Sequence, residues 1–421
     1  MKSKVKSVIG SPLISGSFLL ISGGVLANLF SFIFNFFMSR NLVVEDYGTF
    51  VSLVSIITLL SIPASALAPT IVTLAGNYFA EENLGMVNAL YIKIIKILIV
   101  VSIFLFILFT VFAVQVASFF NIKDTVLLPL TAVAIMFSYI FTINLSFFQA
   151  KLSFKLLPSL SVFSSFTKLV FGVVLVLVGF GLSGAITSYL LSYVIPIAIG
   201  SFFLRKVLFH KSHSTARISL RELIRFGVPS AIIIFCLNSF INTDILLIKH
   251  LFSEKDAGFY AGLSLVGRVV FYVTAPVTTV MFPIIINKFK NGQPYKNILF
   301  AALGITAVMS VGITCFYFLF PQFTILFFLK KHEYLAIVNN LGMFGIFITL
   351  YSLISVLSYY YLAIRQTKVS ALLVIGVVLQ AGLIYFFHSS FEQVINISIF
   401  VSTLVIIGLL IFQKVFSRGK K

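Results

Sequence analysis

Long apolar runs alternate with short polar connections along all 421 residues. With about 20 residues needed to cross a hydrocarbon core, the pattern predicts about twelve spans. Spans 1 to 6 cover residues 12–39, 47–76, 86–113, 126–149, 158–178 and 183–204. Spans 7 to 12 cover 226–248, 257–286, 298–320, 334–362, 369–388 and 394–414. No connection is long enough to form a soluble domain. Lys2, Lys4 and Lys6 precede the first run as the basic start of a signal peptide would. The run to Met38 is too long for such a peptide and eleven more follow, so it reads as a retained span.

Charge orients these spans. With both termini assigned to the side of the even connections, that side holds 22 Lys and Arg residues and the other holds 6. The remaining two of the 30, Lys168 and Arg268, fall well inside spans. By the positive-inside rule, both termini are expected in the cytoplasm. The net charge of +19 then has a cause other than nucleic-acid binding, because the basic residues are scattered among short loops. A chain with 60% hydrophobic and 10% charged residues is not a soluble domain. The 49 Phe and 16 Tyr fit lipid-facing surface and interfacial belts. Cys236 and Cys315 lie in apolar runs and read as packed thiols.

The chain is also doubled. Arg40-Asn41-Leu42 and Asp46-Tyr47-Gly48-Thr49-Phe50 return as Lys249-His250-Leu251 and Asp256-Ala257-Gly258-Phe259-Tyr260, 209 to 210 residues later. A helix with two prolines follows each copy, with Pro63 and Pro69 in the first and Pro276 and Pro283 in the second. Residues 150–155 match 363–368 at an offset of 213. Six spans per copy, an even number, enter the membrane in the same direction. The expected architecture is therefore an all-α polytopic membrane protein of two six-helix bundles related by a pseudo-twofold along the membrane normal. The bundles are expected at 1–204 and 226–421, with 205–225 as a basic cytoplasmic linker.

The same residues carry a resemblance. The Arg40-Asn41-Leu42 and Glu45-Asp46-Tyr47-Gly48 turn resembles that of the bacterial polysaccharide exporters, the Wzx-type flippases of lipid-linked oligosaccharides such as O-antigen units. Asp244 with the later Asp256–Tyr260 motif, and Gln149-Ala150-Lys151, fit the same pattern. The similarity is spread over the whole chain in short, degenerate motifs. It implies the fold of the multidrug and toxin extruders, with two bundles around a lumen opening alternately to either side. It also implies the substrate, an undecaprenyl-pyrophosphate-linked sugar unit moved from the cytoplasmic to the outer leaflet of the inner (cytoplasmic) membrane. A polysaccharide polymerase and a chain-length regulator are the protein partners that go with that role, alongside membrane lipids.

Residue chemistry can be read beside the resemblance. On a helical wheel, Ser17, Gly24, Asn28, Ser31, Asn35 and Ser39 fall on one face of span 1. Such a stripe faces a wet lumen or a tight helix contact, and an amide in hydrocarbon needs partners or water. Asn238, Asn242 and Lys249 form the corresponding stripe of span 7. Lys168 and Arg268 are buried cations, expensive unless paired or hydrated, and a diphosphate headgroup needs such groups. Asp244, the only acid inside a span, is expected either to pair with Arg268 or to hold a coupling proton or sodium ion. Lys151 and Arg365 are basic residues at the cytoplasmic ends of spans 4 and 10.

Other patterns do not carry chemistry. Gly262 to Val269 has P-loop glycine spacing but lacks the Lys-Ser/Thr pair and lies in a span, so ATP binding is not expected. His210 and His213 have no third ligand, so no metal site is expected. No catalytic triad or paired carboxylates occur, and no cofactor is expected beyond an H+ or Na+ coupling ion. The functional alternatives are a cation-coupled multidrug extruder, which would favour an acidic or apolar cavity, and a non-transporting scaffold, which leaves the internal charges without a purpose.

Overall fold

The computed structural model describes residues 12–153, 155–208 and 220–418, whose regular elements are all helices joined by short turns. In chain order the helices are α1 (Pro12–Asn41), α2 (Val44–Leu60), α3 (Ile62–Ala80), α4 (Leu84–Val111), α5 (Ala113–Phe119), α6 (Leu127–Ala150), α7 (Leu156–Leu175) and α8 (Gly181–Leu208). They continue as α9 (Leu220–Phe240), α10 (Thr243–Leu251), α11 (Glu254–Gly267), α12 (Val269–Lys290), α13 (Lys296–Leu319), α14 (Pro321–Leu329), α15 (Val338–Ala363), α16 (Val369–Phe386) and α17 (Phe391–Arg418). Among the described residues ten helices are long and apolar enough to cross a bilayer, or eleven when the bent pair α9–α10 counts as one. One of the ten, Leu156–Arg205, reverses at Gly179 and Gly181, both at positive φ, so that its arms α7 and α8 pack on each other. Glycine permits that reversal because its left-handed backbone carries no Cβ penalty.

The chain divides into two compact units. One comprises residues up to Leu42 together with Leu60–Val228; the other comprises Val43–Leu59 together with Pro229 onward. The sequence-based division at 204 and 226 differs in one element: α2 joins the second unit although it precedes most of the first. The linker expected at 205–225 lies largely outside the described residues.

Each unit has the same internal plan. In the first, α6 is the central helix and packs against α3, α4 and α8; α7 packs against α1 and α8. In the second, α15 is central and packs against α12, α13 and α17, while α16 packs against α10 and α17. The connecting turns repeat bond for bond. Leu42 N–H donates to Met38 O, and 210 residues on Phe252 N–H donates to Ile248 O, both at 3.0 Å. Asn83 N–H bonds Tyr78 O as Gln293 N–H bonds Lys288 O, both at 2.9 Å, with Glu82 and Gly292 at positive φ between them. At the offset of 213, Ser153 N–H to Phe148 O corresponds to Gln366 N–H to Tyr361 O, with Leu152 and Arg365 in the left-handed region. The last two pairs are 6→1 bonds of the Schellman type, which satisfy the last carbonyls of a helix.

The two copies of the sequence motif touch inside the second unit. A Cβ built on Gly48 would lie 2.6 Å from Gly258 N, and one on Gly258 would strike the Val44 carbonyl. Only glycine allows α2 and α11 to approach backbone to backbone there. Away from these contacts, exposed Val, Leu, Ile and Phe side chains such as Phe104, Val308 and Phe386 supply the lipid-facing surface.

Three spans are broken where the sequence pattern is continuous. Span 2 parts at Ser61, span 7 at Ile241–Asn242 and span 8 at Arg268. Each break leaves a carbonyl that a side chain takes up, as the absence of water in a bilayer requires. Tyr139 Oη donates to Leu60 O at 2.5 Å, Gln380 Nε2 to Phe240 O at 3.3 Å, and Tyr317 Oη to Val266 O at 2.7 Å.

Candidate functional site

Lys168 lies in the first unit and Arg268 in the second, and the surroundings of each can be built from the helices that position it. Lys168 is the thirteenth residue of α7, roughly 18 Å along that helix at 1.5 Å per residue. Its Nζ donates to Ser31 Oγ at 3.1 Å and lies 4.7 Å from the ring centre of Tyr189 and 5.3 Å from that of Phe34. Ser31 Oγ in turn bonds Ser165 Oγ at 3.3 Å. α1 comes this close because Gly172 of α7 leaves no Cβ to strike Phe34 and Met38. Hydroxyl and ring faces hold an ammonium without neutralising it. Among the described residues no acidic side chain bonds Lys168.

The polar stripe of span 1 is thus divided in use. Ser31 serves the cation, while Asn35 bonds its amide back to Ser31 O at 2.8 Å. Ser39 is fully buried and bonds Phe36 O at 2.9 Å, and Asn28 is exposed. The side chain of Ser17 lies outside the described residues.

In the second unit the break in span 7 creates the site. Asn238 and Asn242 turn their amides onto the carbonyls of Ile234 and Asn238, each at 2.8 Å, and such side-chain bonds compete with a regular helix. α9 ends at Phe240 and α10 leaves at 46°. Asp244 therefore occupies the first turn of α10, where the helix dipole favours a carboxylate. Its Oδ1 accepts from Ile245 N–H at 2.9 Å and its Oδ2 from Tyr260 Oη at 2.8 Å. Asp244 and Tyr260 are both fully buried.

Arg268 stands at the joint between α11 and α12. It is near enough for its charge to act on Asp244, Tyr260 and Tyr351. The direct salt bridge to Asp244 expected from the sequence is not formed; no ion pair joins the two among the described residues, and Tyr260 occupies the carboxylate instead. Arg268 Nε and Nη2 are buried without a hydrogen-bond partner. A guanidinium left with open donors is prepared for an acceptor from elsewhere.

The stripe expected on span 7 is rearranged by the same break, since a single helical wheel cannot run across it. Asn242 is buried and its Oδ1 accepts from Ser55 Oγ of α2 at 3.1 Å; Lys249 is fully buried; Asn238 is half-buried. Lys151 and Arg365 are both exposed, beside or at the positive-φ residue of the two equivalent turns. Phe34, Tyr189, Tyr260 and Ser55 were not singled out as site residues from the sequence. Tyr260 was visible only as part of the repeated motif, 16 residues from the acid it binds.

The fold is shared with solved membrane proteins. The chain superposes on an inward-facing multidrug-resistance transporter of the MATE family in the MOP superfamily, with a TM-score of 0.70 at 16% identity over 94% of this chain and 95% of that one. The lipid II flippase MurJ, in an inward closed conformation, gives 0.68 at 17% identity over 91% and 85%. A eukaryotic MATE transporter, AtDTX14, gives 0.65 at 18% identity over 96% of both chains. The fold is that of the polytopic MATE-like transporters and flippases. Residues 37–339 match the family described as polysaccharide biosynthesis protein. The chain belongs to that family, as a multi-pass membrane protein. Among curated proteins, none matches it in sequence.

Proposed function

We propose that this protein moves an undecaprenyl-pyrophosphate-linked oligosaccharide from the cytoplasmic to the outer leaflet by alternating access of its two bundles. The observation that carries the reading is the state of the two internal cations. Lys168 is held by a hydroxyl and two rings, and Arg268 keeps two buried nitrogens open. Cations without a carboxylate partner suit a ligand that brings its own negative charge, and a diphosphate does so. Membership of the polysaccharide biosynthesis family and a fold shared with a lipid II flippase support the same substrate class.

Arg268 would grip the diphosphate with its planar fork, and Lys168 would act as a point charge. Asp244 would hold a coupling H+ or Na+, with Tyr260 giving up its hydrogen bond as the ion arrives; no ATP is used. The multidrug-extruder alternative would favour an acidic or apolar cavity for cationic drugs, whereas Lys168 and Arg268 against the single acid Asp244 lean toward an anionic substrate. The protein would sit in the inner membrane with both termini cytoplasmic, beside a polysaccharide polymerase and a chain-length regulator.

The test is transport of labelled undecaprenyl-pyrophosphoryl oligosaccharide in proteoliposomes, read as access to an enzyme added outside. Label should become accessible with wild-type protein and stay protected in protein-free vesicles. Equal accessibility in both would overturn the reading.

A further inference from the structure

A groove of about 640 Å³ runs along the seam of α1 and α7, on the first unit alone. Its walls are Leu19, Leu26, Val162 and Phe166, and Lys155 stands at one end. Gly23 forms its floor, because only a residue without a Cβ can lie against Pro158. α1 and α7 run parallel along this seam: Gly23 meets Pro158, Phe30 meets Phe166 edge-on at 5.5 Å, and Ser31 meets Ser165. The groove therefore extends roughly 16 Å from Lys155 to the Phe30–Phe166 pair, at 1.5 Å per residue. Beside that pair lie Ser31 and Ser165, and two residues past Phe166 comes Lys168.

Two features say what would occupy it. The walls are apolar, while Lys155 is exposed and has no ion-pair partner among the described residues. Lys151, four residues earlier and also exposed, adds a second positive charge near that end. A hydrocarbon chain with an anionic headgroup matches both parts. We propose that this groove is the docking site for a polyprenyl phosphate, with its phosphate on Lys155 and its first isoprene units lying against Leu26, Val162 and Phe166. The choice of a polyprenyl chain over a bilayer phospholipid rests on the flippase reading and on the seam's continuation to Lys168, where the same headgroup would be drawn next. The groove is then the intake of the translocation path, distinct from the cation that receives the headgroup.

The test uses the full chain in phosphatidylcholine nanodiscs and reads binding, not transport. A diazirine-bearing polyprenyl monophosphate is photolysed and the labelled peptides are mapped by mass spectrometry. Label should concentrate on residues 19–30 and 158–166 and be displaced by unlabelled polyprenyl phosphate but not by phosphatidylglycerol. Val162→Trp, which adds bulk to the groove wall, should reduce labelling by about tenfold, and Lys155→Glu by a similar factor, the loss of one charge-assisted contact. Thermal unfolding unchanged in both variants separates lost binding from lost folding. Lys155→Arg should retain most of the labelling. Label spread over all lipid-facing helices, or displaced equally by phosphatidylglycerol, would overturn the proposal and leave an ordinary lipid crevice. Groove labelling that persists while wild-type proteoliposomes fail to translocate would instead remove the flippase reading and leave the docking site standing.

Discussion

At the scale of single residues, the cations Lys168 and Arg268 and the fully buried acid Asp244 differ in how completely they are satisfied. Asp244 has a hydroxyl and a backbone donor, so removing one leaves a buried carboxylate short of a partner. Tyr260→Phe should lower stability by about 1–3 kcal/mol, measured by thermal unfolding in detergent. A double-mutant cycle with Asp244→Asn should show coupling of about 1 kcal/mol or more for the 244–260 pair. The same cycle for 244 and 268 should give less, because no direct bond joins them. Lys168 and Arg268 should behave in the opposite sense. Lys168→Ala and Arg268→Ala should leave folded protein in the membrane yet reduce export on the order of tenfold or more, as loss of a charge-assisted contact implies. Arg268→Lys should keep part of the activity, since a point charge replaces the fork. Wild-type export from both alanine variants would remove the anionic-headgroup mechanism.

At the scale of elements, the sequence reveals where helices lie more readily than where they break. The reversal between α7 and α8 was legible because Gly179 and Gly181 interrupt the apolar run. The breaks within spans 7 and 8 were not, because the polar residues at them, Asn242 to Asp244 in one and Arg268 in the other, read equally well as groups facing a lumen from an unbroken span. Asn238 and Asn242 looked like a lumen stripe, yet they spend their amides on the backbone and bend the helix. The short helices α5 and α14 were read as parts of connections, since seven and nine residues are too few for a periodic signal. The partners of the buried charges were out of reach for another reason: Tyr189 and Tyr260 meet their cation and acid through tertiary packing, which no local spacing encodes. The repeated glycines give a prediction at this scale. Gly258→Ala drives a methyl into the Val44 carbonyl, a backbone atom that no rotamer can move aside. It should cost about 1–3 kcal/mol, by thermal unfolding, as overpacking does. Arg365→Gly, at φ 59, should be neutral or mildly stabilising, up to about 1 kcal/mol, because the left-handed strain disappears.

For the whole molecule, charge bias and repetition make one joint statement. If both termini are cytoplasmic, so is the 205–225 connection that joins the copies. Single cysteines placed there and at either end should react only with permeant reagents in intact cells. Labelling of the connection from outside would reject the orientation together with the parallel repeat. The membership of α2 has a further consequence, in time. Val43–Leu59 is grouped with helices that begin at Pro229, and Gly48 waits for Gly258, about 200 residues later in synthesis. At about 5–20 residues per second, that helix remains without its lasting neighbours for roughly 10–40 s while the ribosome works on. A gene cut between the copies should therefore yield a second fragment that cannot complete itself, and the protein should return only when both pieces are made in one cell.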